Sequence, residues 1–353
     1  MLTTSNMNFW KELKKPILVL APMADVTDSA FRRIIAKYGK PDVLWTEFVS
    51  ADGLALAPLE GRKKLLKNLE YTEAERPIVA QFFTSSPAHM ESAARLALEL
   101  GFDGVDINMG CPDRSVEKQG AGASLMKDVG LACELVRAAK RGAKSENREI
   151  PVSVKTRTGY SKPDLEKWLP EILREKPALV VVHARTRKEM SRVPARWEFV
   201  RRAVEIRDQM GSETLIFGNG DIRDVSDALE KVSETGCDGA MLGRAIFGNP
   251  WLFTGKEQDF SSEKSSDIPS EHGQTFRQKN PAPSLKERLR VLVEHTYLFE
   301  KLLGDHKSFA VMKKHFKAYV AGFDGAVELR QKLMETDNAS EVEEIVAEFL
   351  KKI

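Results

Sequence analysis

A cysteine in a tight loop, a lysine and a histidine closing apolar runs, and two glycine-rich turns are the residues here whose types and spacing could do chemistry. Cys111 sits in Asn108-Met109-Gly110-Cys111-Pro112, just past the apolar run that Asn108 ends. A loop thiol there can serve as nucleophile, acid or metal ligand. No second cysteine or histidine stands at ligand spacing, which speaks against a metal. Lys155 closes another apolar run, as a charge partner for a bound anion, as a Schiff-base nucleophile or as a rim lysine. His183 follows Leu179-Val180-Val181-Val182, either as a satisfied core residue or, with Lys155 and Arg185, as part of an anion site. Gly218-Asn219-Gly220-Asp221 and Gly243-Arg244 offer backbone N–H groups and one guanidinium, the makings of a phosphate site if they are more than strand-to-helix turns. Gly120-Ala121-Gly122 is not a dinucleotide fingerprint, because Leu125 takes the third glycine position.

Something must bring these residues to one place. Eight short Val/Ile/Leu-rich runs occur at 17–21, 43–48, 78–82, 104–108, 152–156, 179–183, 215–218 and 239–243. Continuous apolar runs mark strands buried on both faces of a parallel sheet. Pro16, Pro77 and Pro151 precede three of them, where a missing N–H is tolerated. Amphipathic patterns at 27–38, 86–100, 164–174, 196–210 and 224–234 read as helices, the second opening with Ser86-Pro87 and the first stopping at Gly39. Strands alternating with helices eight times predict a (β/α)8 TIM barrel, with a doubly wound open sheet as the alternative. In a barrel the strand C-terminal ends share one face, and there the run ends supply Pro22, Met23 and Ala24, Glu47, Gln81, Asn108, Lys155 and Arg157, His183 and Arg185, Asn219 to Asp221, and Gly243 with Arg244. Barrel phosphate sites often follow strands seven and eight.

Past residue 254 the pattern changes. Residues 255–283 are polar and rich in Ser, Lys, Glu and Pro, and read as an exposed linker. Residues 284–303, 308–321, 325–336 and 340–353 carry helical apolar spacing, with breaks at Gly304 and Gly322 and a capping-box pattern at Ser340 and Glu343. The expected organisation is a barrel over 1–254, a linker over 255–283 and an all-α helical bundle over 284–353. Lys313, Lys314 and Lys317, near Arg290 and Lys307, form either a phosphate-binding face or a solvated helix surface. The chain of 353 residues has 54 Lys+Arg against 52 Asp+Glu, so no global field marks a nucleic-acid coat or a membrane-surface protein. Three scattered cysteines exclude a disulfide scaffold; Cys133 and Cys237 read as packing residues. With no signal-peptide run or membrane span, the expectation is a soluble, cytoplasmic monomer.

Asn108-Met109-Gly110-Cys111-Pro112 resembles the tRNA-dihydrouridine synthases, flavin enzymes that reduce uridine in RNA. The resemblance extends through Ala21-Pro22-Met23-Ala24, Thr46-Glu47, Gln81-Phe82, Val154-Lys155-Thr156-Arg157, His183-Ala184-Arg185, Gly218-Asn219-Gly220-Asp221, Gly243-Arg244-Ala245 and the tail at Met312-Lys313-Lys314-His315. It implies FMN across the barrel mouth. Pro22, Met23 and Ala24 would lie against the ring, Gln81 on its pyrimidine edge and Lys155 near the part that gains charge. His183, Asn219, Gly220, Asp221, Gly243 and Arg244 would hold the phosphate. Cys111 would be the proton donor, Asn108 and Arg185 would contact the uridine or neighbouring phosphates, and the helical tail would bind RNA. The implied partners are tRNA and NADPH, with no DNA or membrane. Other readings are ribosomal RNA as substrate, a flavin reductase of free pyrimidines like the dihydroorotate dehydrogenases, an RNA-binding barrel without catalysis, and a Schiff-base aldolase using Lys155. Ala184 and the stretch 187–194 depart from the family's pattern after the strand-six histidine, as does the long linker.

Overall fold

The computed structural model describes residues 8–254 and 283–353. In chain order the first part runs β1 (Ile17–Leu20), α1 (Ser29–Tyr38), β2 (Leu44–Trp45), β3 (Val49–Ser50), α2 (Ala51–Leu56), α3 (Leu59–Lys67), β4 (Ile78–Phe83), α4 (Pro87–Glu99) and β5 (Gly104–Asn108). It continues α5 (Arg114–Glu117), α6 (Val129–Gly142), β6 (Val152–Arg157), α7 (Leu165–Arg174), β7 (Leu179–His183), α8 (Glu198–Gln209), β8 (Leu215–Asn219), α9 (Val225–Thr235) and β9 (Gly239–Leu242). All strand pairings are parallel, in the order β1-β9-β8-β7-β6-β5-β4-β2, and a Val19–Val43 bridge brings the two ends together into the expected barrel.

Alternation along each strand explains why both faces are apolar. Ile17, Val19, Leu179, Val181, Phe217 and Met241 fill the interior, while Leu18, Leu20, Val180, Val182, Ile216 and Leu242 pack under the helices. Trp10, against Trp45 and Phe217 at ring separations of 5.7 Å, joins the interior cluster. The same alternation puts polar residues inward on three neighbouring strands: Gln81 on β4, Asp106 and Asn108 on β5, Ser153 and Lys155 on β6. Five polar side chains within one side of the barrel interior is a costly arrangement unless they satisfy one another.

The second expected strand, 43–48, is two short strands instead. Trp45 pairs with Val79 and Val49 with Phe82, so one extra residue lies on the first chain between the two pairings. That bulge turns Glu47 onto the backbone N–H of Asp25 at 2.5 Å and the Nζ of Lys307 at 2.8 Å. Helices α2, α3 and α5 were not among the expected elements, while α6 carries Cys133 on its buried face, as its helical spacing suggests. The Ser86 cap with Pro87 in the first turn holds, Ser86 Oγ accepting from His89 N, and Gly39 ends α1.

After the undescribed stretch come α10 (Leu285–Leu303), α11 (Met312–Tyr319), α12 (Ala326–Met334) and α13 (Ala339–Leu350). The linker assigned to 255–283 lies, apart from Pro283, outside the described residues. The capping box expected at Ser340 is displaced: α13 starts at Ala339 and Asn338 caps it, accepting from Glu341 N at 3.0 Å. A capping box does form at Ser284 and Glu287. Leu289, Leu292, Phe299, Phe316 and Leu333 share one apolar cluster with Ala30 and Ile34 of α1, so the helical segment is seated on the first barrel helix. Lys37–Glu294, Lys67–Asp305 and Lys307–Glu47 ion pairs bridge the same junction. Lys307 is therefore mostly buried and paired, not part of the basic face sketched from the sequence.

Candidate active site at the barrel mouth

A cavity of about 570 Å³ opens at the C-terminal ends of β1 and β6–β9. Pro22, Met23, Lys155, His183, Arg185, Asn219, Gly220, Asp221, Gly243 and Arg244 all line it, so ten of the residues read from strand ends meet there. Lys155, inward on β6, reaches Asn219 Oδ1 at 3.3 Å, and Asn219 in turn donates to the Met241 carbonyl at 2.7 Å. Burial and the neighbouring Arg157 pull the Lys155 ammonium down to about 8. His183 is held well below its usual range, first by burial and then by Arg157 and Lys155. Arg185 NH1 lies 3.2 Å from His183 Nε2. A guanidinium can only donate, so the neutral ring carries its proton on Nδ1.

The two arginines of the cavity differ. Arg185 is 2% exposed and has a partner at each of its three nitrogens: it donates to the Val193 carbonyl at 2.6 Å, to His183 and to Asp221. Arg244 is open to solvent on one bond, to Asp221 Oδ1 at 2.7 Å. Burial works to raise the Asp221 carboxyl, but the hydrogen bonds from Arg185 and Ala195 N hold it below its usual range. Its carboxylate is thus an anchor for cations. Gly220 adopts φ +124, and a Cβ on Gly218 would stand 2.1 Å from the Trp197 ring, so both turn glycines are required by geometry. Gly243 is different: a Cβ there would meet nothing nearer than 3.8 Å, so its small size leaves open space on the cavity wall.

Beside this cavity stands a second group. Asn108 Oδ1 accepts from Gly110 N at 3.1 Å and Cys111 N at 2.9 Å, shaping the loop that carries the thiol. The Gly110 carbonyl accepts from Arg157 Nε at 2.7 Å, and the Cys111 carbonyl from Ala123 N at 2.9 Å. Cys111 is half-buried against Phe48, Phe83, Val116 and Ala121. Burial pushes its thiol up; the backbone N–H of Asp113 opposes the rise, the Asp113 charge adds to it, and Arg157 and Lys155 oppose it further. Gln81, Asn108 and Cys111 are not on the wall of the 570 Å³ cavity, and Ala24 is exposed outside it. Lys314 and Lys317 are exposed on α11 and Lys313 is half-buried there; none lines the cavity.

Three residues went unassigned in the sequence. Arg157 is 7% exposed and holds only backbone carbonyls, those of Gly110, Thr186 and Met190. Burial lowers it to about 10. Asp106 and Ser153 are fully buried inside the barrel. A carboxylate at the centre of an apolar run is the signal that could have exposed Asp106.

Compared with known proteins, residues 19–353 match the family model described as dihydrouridine synthase. The chain is 38% identical over 347 residues to the Bacillus subtilis (strain 168) protein named "Probable tRNA-dihydrouridine synthase 2", covering 98% of this chain and 97% of that one. A Staphylococcus aureus (strain MRSA252) protein named "Probable tRNA-dihydrouridine synthase" is also 38% identical, over 97% of this chain and 95% of its own. Among solved structures, a 2-naphthoyl-CoA reductase complex superposes with a TM-score of 0.52 at 10% identity, over 72% of this chain and 51% of that one, a likeness of fold.

Proposed function

The chain belongs to the dihydrouridine synthase family, and on that premise we propose that it reduces the C5–C6 bond of uridines in tRNA to 5,6-dihydrouridine, with FMN as cofactor and NADPH as electron donor. The cavity chemistry fits FMN. Pro22 and Met23 offer an apolar surface for a planar ring, the Gly243 gap leaves room at the wall, and Lys155 with Arg244 supplies positive charge. His183, Asn219 and Gly220 would complete the phosphate end, with Asp221 setting the direction of Arg244 rather than touching an anion. FMN, when bound, supplies the hydride that reaches C6 of the uracil, and NADPH restores it.

The observation that carries this reading is the Cys111 thiol, held protonated by burial in a loop beside the cationic cavity. Hydride addition at C6 leaves an enolate-like anion that needs a proton at C5. A thiol whose ordinary pKa is about 8.5 and which burial raises further keeps its proton near neutral pH. Roles as nucleophile or metal ligand would need the thiolate instead. Lys155, on the cavity wall, would supply positive charge toward the flavin and toward the anion that hydride addition leaves on the uracil. Solvent returns the proton to Cys111, so the balance is one NADPH and one proton consumed per uridine. On α11, Lys314 and Lys317 with Lys313 supply phosphate contacts for the RNA. Purified protein given NADPH and an unmodified tRNA transcript is expected to add two hydrogens to individual uridines, read by mass spectrometry. NADPH oxidation with no mass change in RNA, but with reduction of free uracil or orotate, would replace this reading with the free-pyrimidine one.

A further inference from the structure

The polar side chains inside β4, β5 and β6 form one directed chain. Ser153 Oγ donates to Asp106 Oδ1 at 2.5 Å, and Gln81 Nε2 donates to Asp106 Oδ2 at 2.6 Å. Gln81 Oε1 accepts from Asn108 Nδ2 at 3.1 Å, which leaves Asn108 Oδ1 for the N–H groups of Gly110 and Cys111. Asp106 and Gln81 are fully buried and Asn108 is 6% exposed, so water does not compete along the chain. An amide has an oxygen end and a nitrogen end of nearly the same shape, and packing alone does not choose between them. Here both ends of the chain agree on the choice, the loop N–H groups at one and Asp106 at the other. An ionised carboxylate can only accept, so Asp106 turns the nitrogen of Gln81 toward itself, and each later group follows in turn.

We propose that Asp106 is a positioning residue which, through Gln81, sets the direction of the Asn108 amide and thereby holds the Cys111 loop. With Asn108 reversed, its NH2 would face two backbone N–H groups, donor against donor, and both loop bonds would be lost. Asp106 itself touches neither the cavity nor the thiol. It reaches the loop along these hydrogen bonds, and its charge acts besides on Lys155; Asp106→Asn, which removes the charge and keeps the bonds, separates the two. Burial acts to raise the carboxyl, to about 6, while the donors Ser153 and Gln81 oppose that rise.

The test reads the thiol in the absence of RNA and NADPH, so its outcome is separate from that of the proposed reaction. Alkylation of Cys111 by iodoacetamide is followed by peptide mass spectrometry, with the buried Cys133 and Cys237 as internal controls. Asp106→Ala is expected to raise the Cys111 rate roughly three- to tenfold, the loss of one net hydrogen bond, and to leave the two controls unchanged. Asp106→Asn can accept from Gln81 while donating to Ser153, and is expected to restore most of the protection. Gln81→Met should match Asp106→Ala, and adding Asp106→Ala to Gln81→Met should change nothing further, because the chain is already cut. Gln81→Met carries the test if Asp106→Ala does not fold. An unchanged Cys111 rate, an equal rise at all three cysteines, or full additivity in the double variant would overturn the proposal.

Discussion

Replacing Arg244 by alanine separates a phosphate contact from a structural one. Its guanidinium is 65% exposed and makes one bond among the described residues, to Asp221 Oδ1. Folding therefore loses little when it is removed, because exposed ion pairs contribute about 0–1 kcal/mol. A phosphate bond from the same guanidinium is charge-assisted, worth about 1.5–3 kcal/mol. Solvent access puts it at the lower end, near ~1.5 kcal/mol or roughly a tenfold change in Kd. The assay is titration of flavin-free protein by fluorescence quenching with two ligands, FMN and riboflavin. The parent is expected to prefer FMN, and Arg244→Ala to lose roughly tenfold of that preference with riboflavin binding unchanged. The melting temperature should hold, and the FMN deficit should shrink as salt rises. Equal losses for FMN and riboflavin, or no loss for either, would refute the assignment of phosphate to this arginine.

Two other perturbations bear on different parts of the molecule. The Lys313/Lys314/Lys317→Glu triple variant is expected to lose tRNA affinity, to flatten the salt dependence of binding by roughly 2–3 in log–log slope, and to oxidise NADPH at the parental rate; filter binding across a salt series checks this. Asp28 caps α1 through Phe31 N at 3.0 Å, and burial, with Glu47 adding to it, raises its carboxyl to about 6. Between about pH 4 and 6 the native state holds a proton that the unfolded chain has released, so stability falls as pH rises through that window. Asp28→Asn keeps the accepting oxygen and removes the charge. Its melting temperature relative to the parent should therefore improve from pH 4 to pH 8, and a constant difference would refute the linkage.

The barrel was legible because parallel strands buried on both faces must be apolar throughout, and eight such runs alternating with helices leave a closed barrel or a doubly wound sheet, between which the Val19–Val43 bridge decides. The boundaries least visible were those decided by tertiary contacts. The bulge that splits β2 from β3 leaves no local trace, since its reason is Glu47 meeting Asp25 N and Lys307, which lies 260 residues away. Helices α2 and α5 escaped notice because they span only six and four residues, too few for a helical apolar period to show. Of the site, strand-end positions could be read residue by residue, because a barrel sends all of them to one face. What each side chain does there could not. Arg185 and Arg244 look alike in a sequence, yet one is buried with a partner at each nitrogen and the other is exposed on a single bond. Asp106 reads as a stray charge in an apolar run until Gln81 and Ser153 are placed on either side of it.

The proton-donor role of Cys111 is tested most directly by splitting the reaction into halves. Cys111→Ala is expected to purify with flavin and to be reduced by NADPH at the parental rate, because neither step uses the thiol. Reoxidation by tRNA under anaerobic stopped-flow conditions, followed by flavin absorbance, should be slower by ~10²–10⁴-fold, the usual loss for a missing general acid. Cys133→Ala and Cys237→Ala should reoxidise like the parent. Parental reoxidation of Cys111→Ala by tRNA would contradict the account and leave Cys111 a packing residue at the barrel mouth.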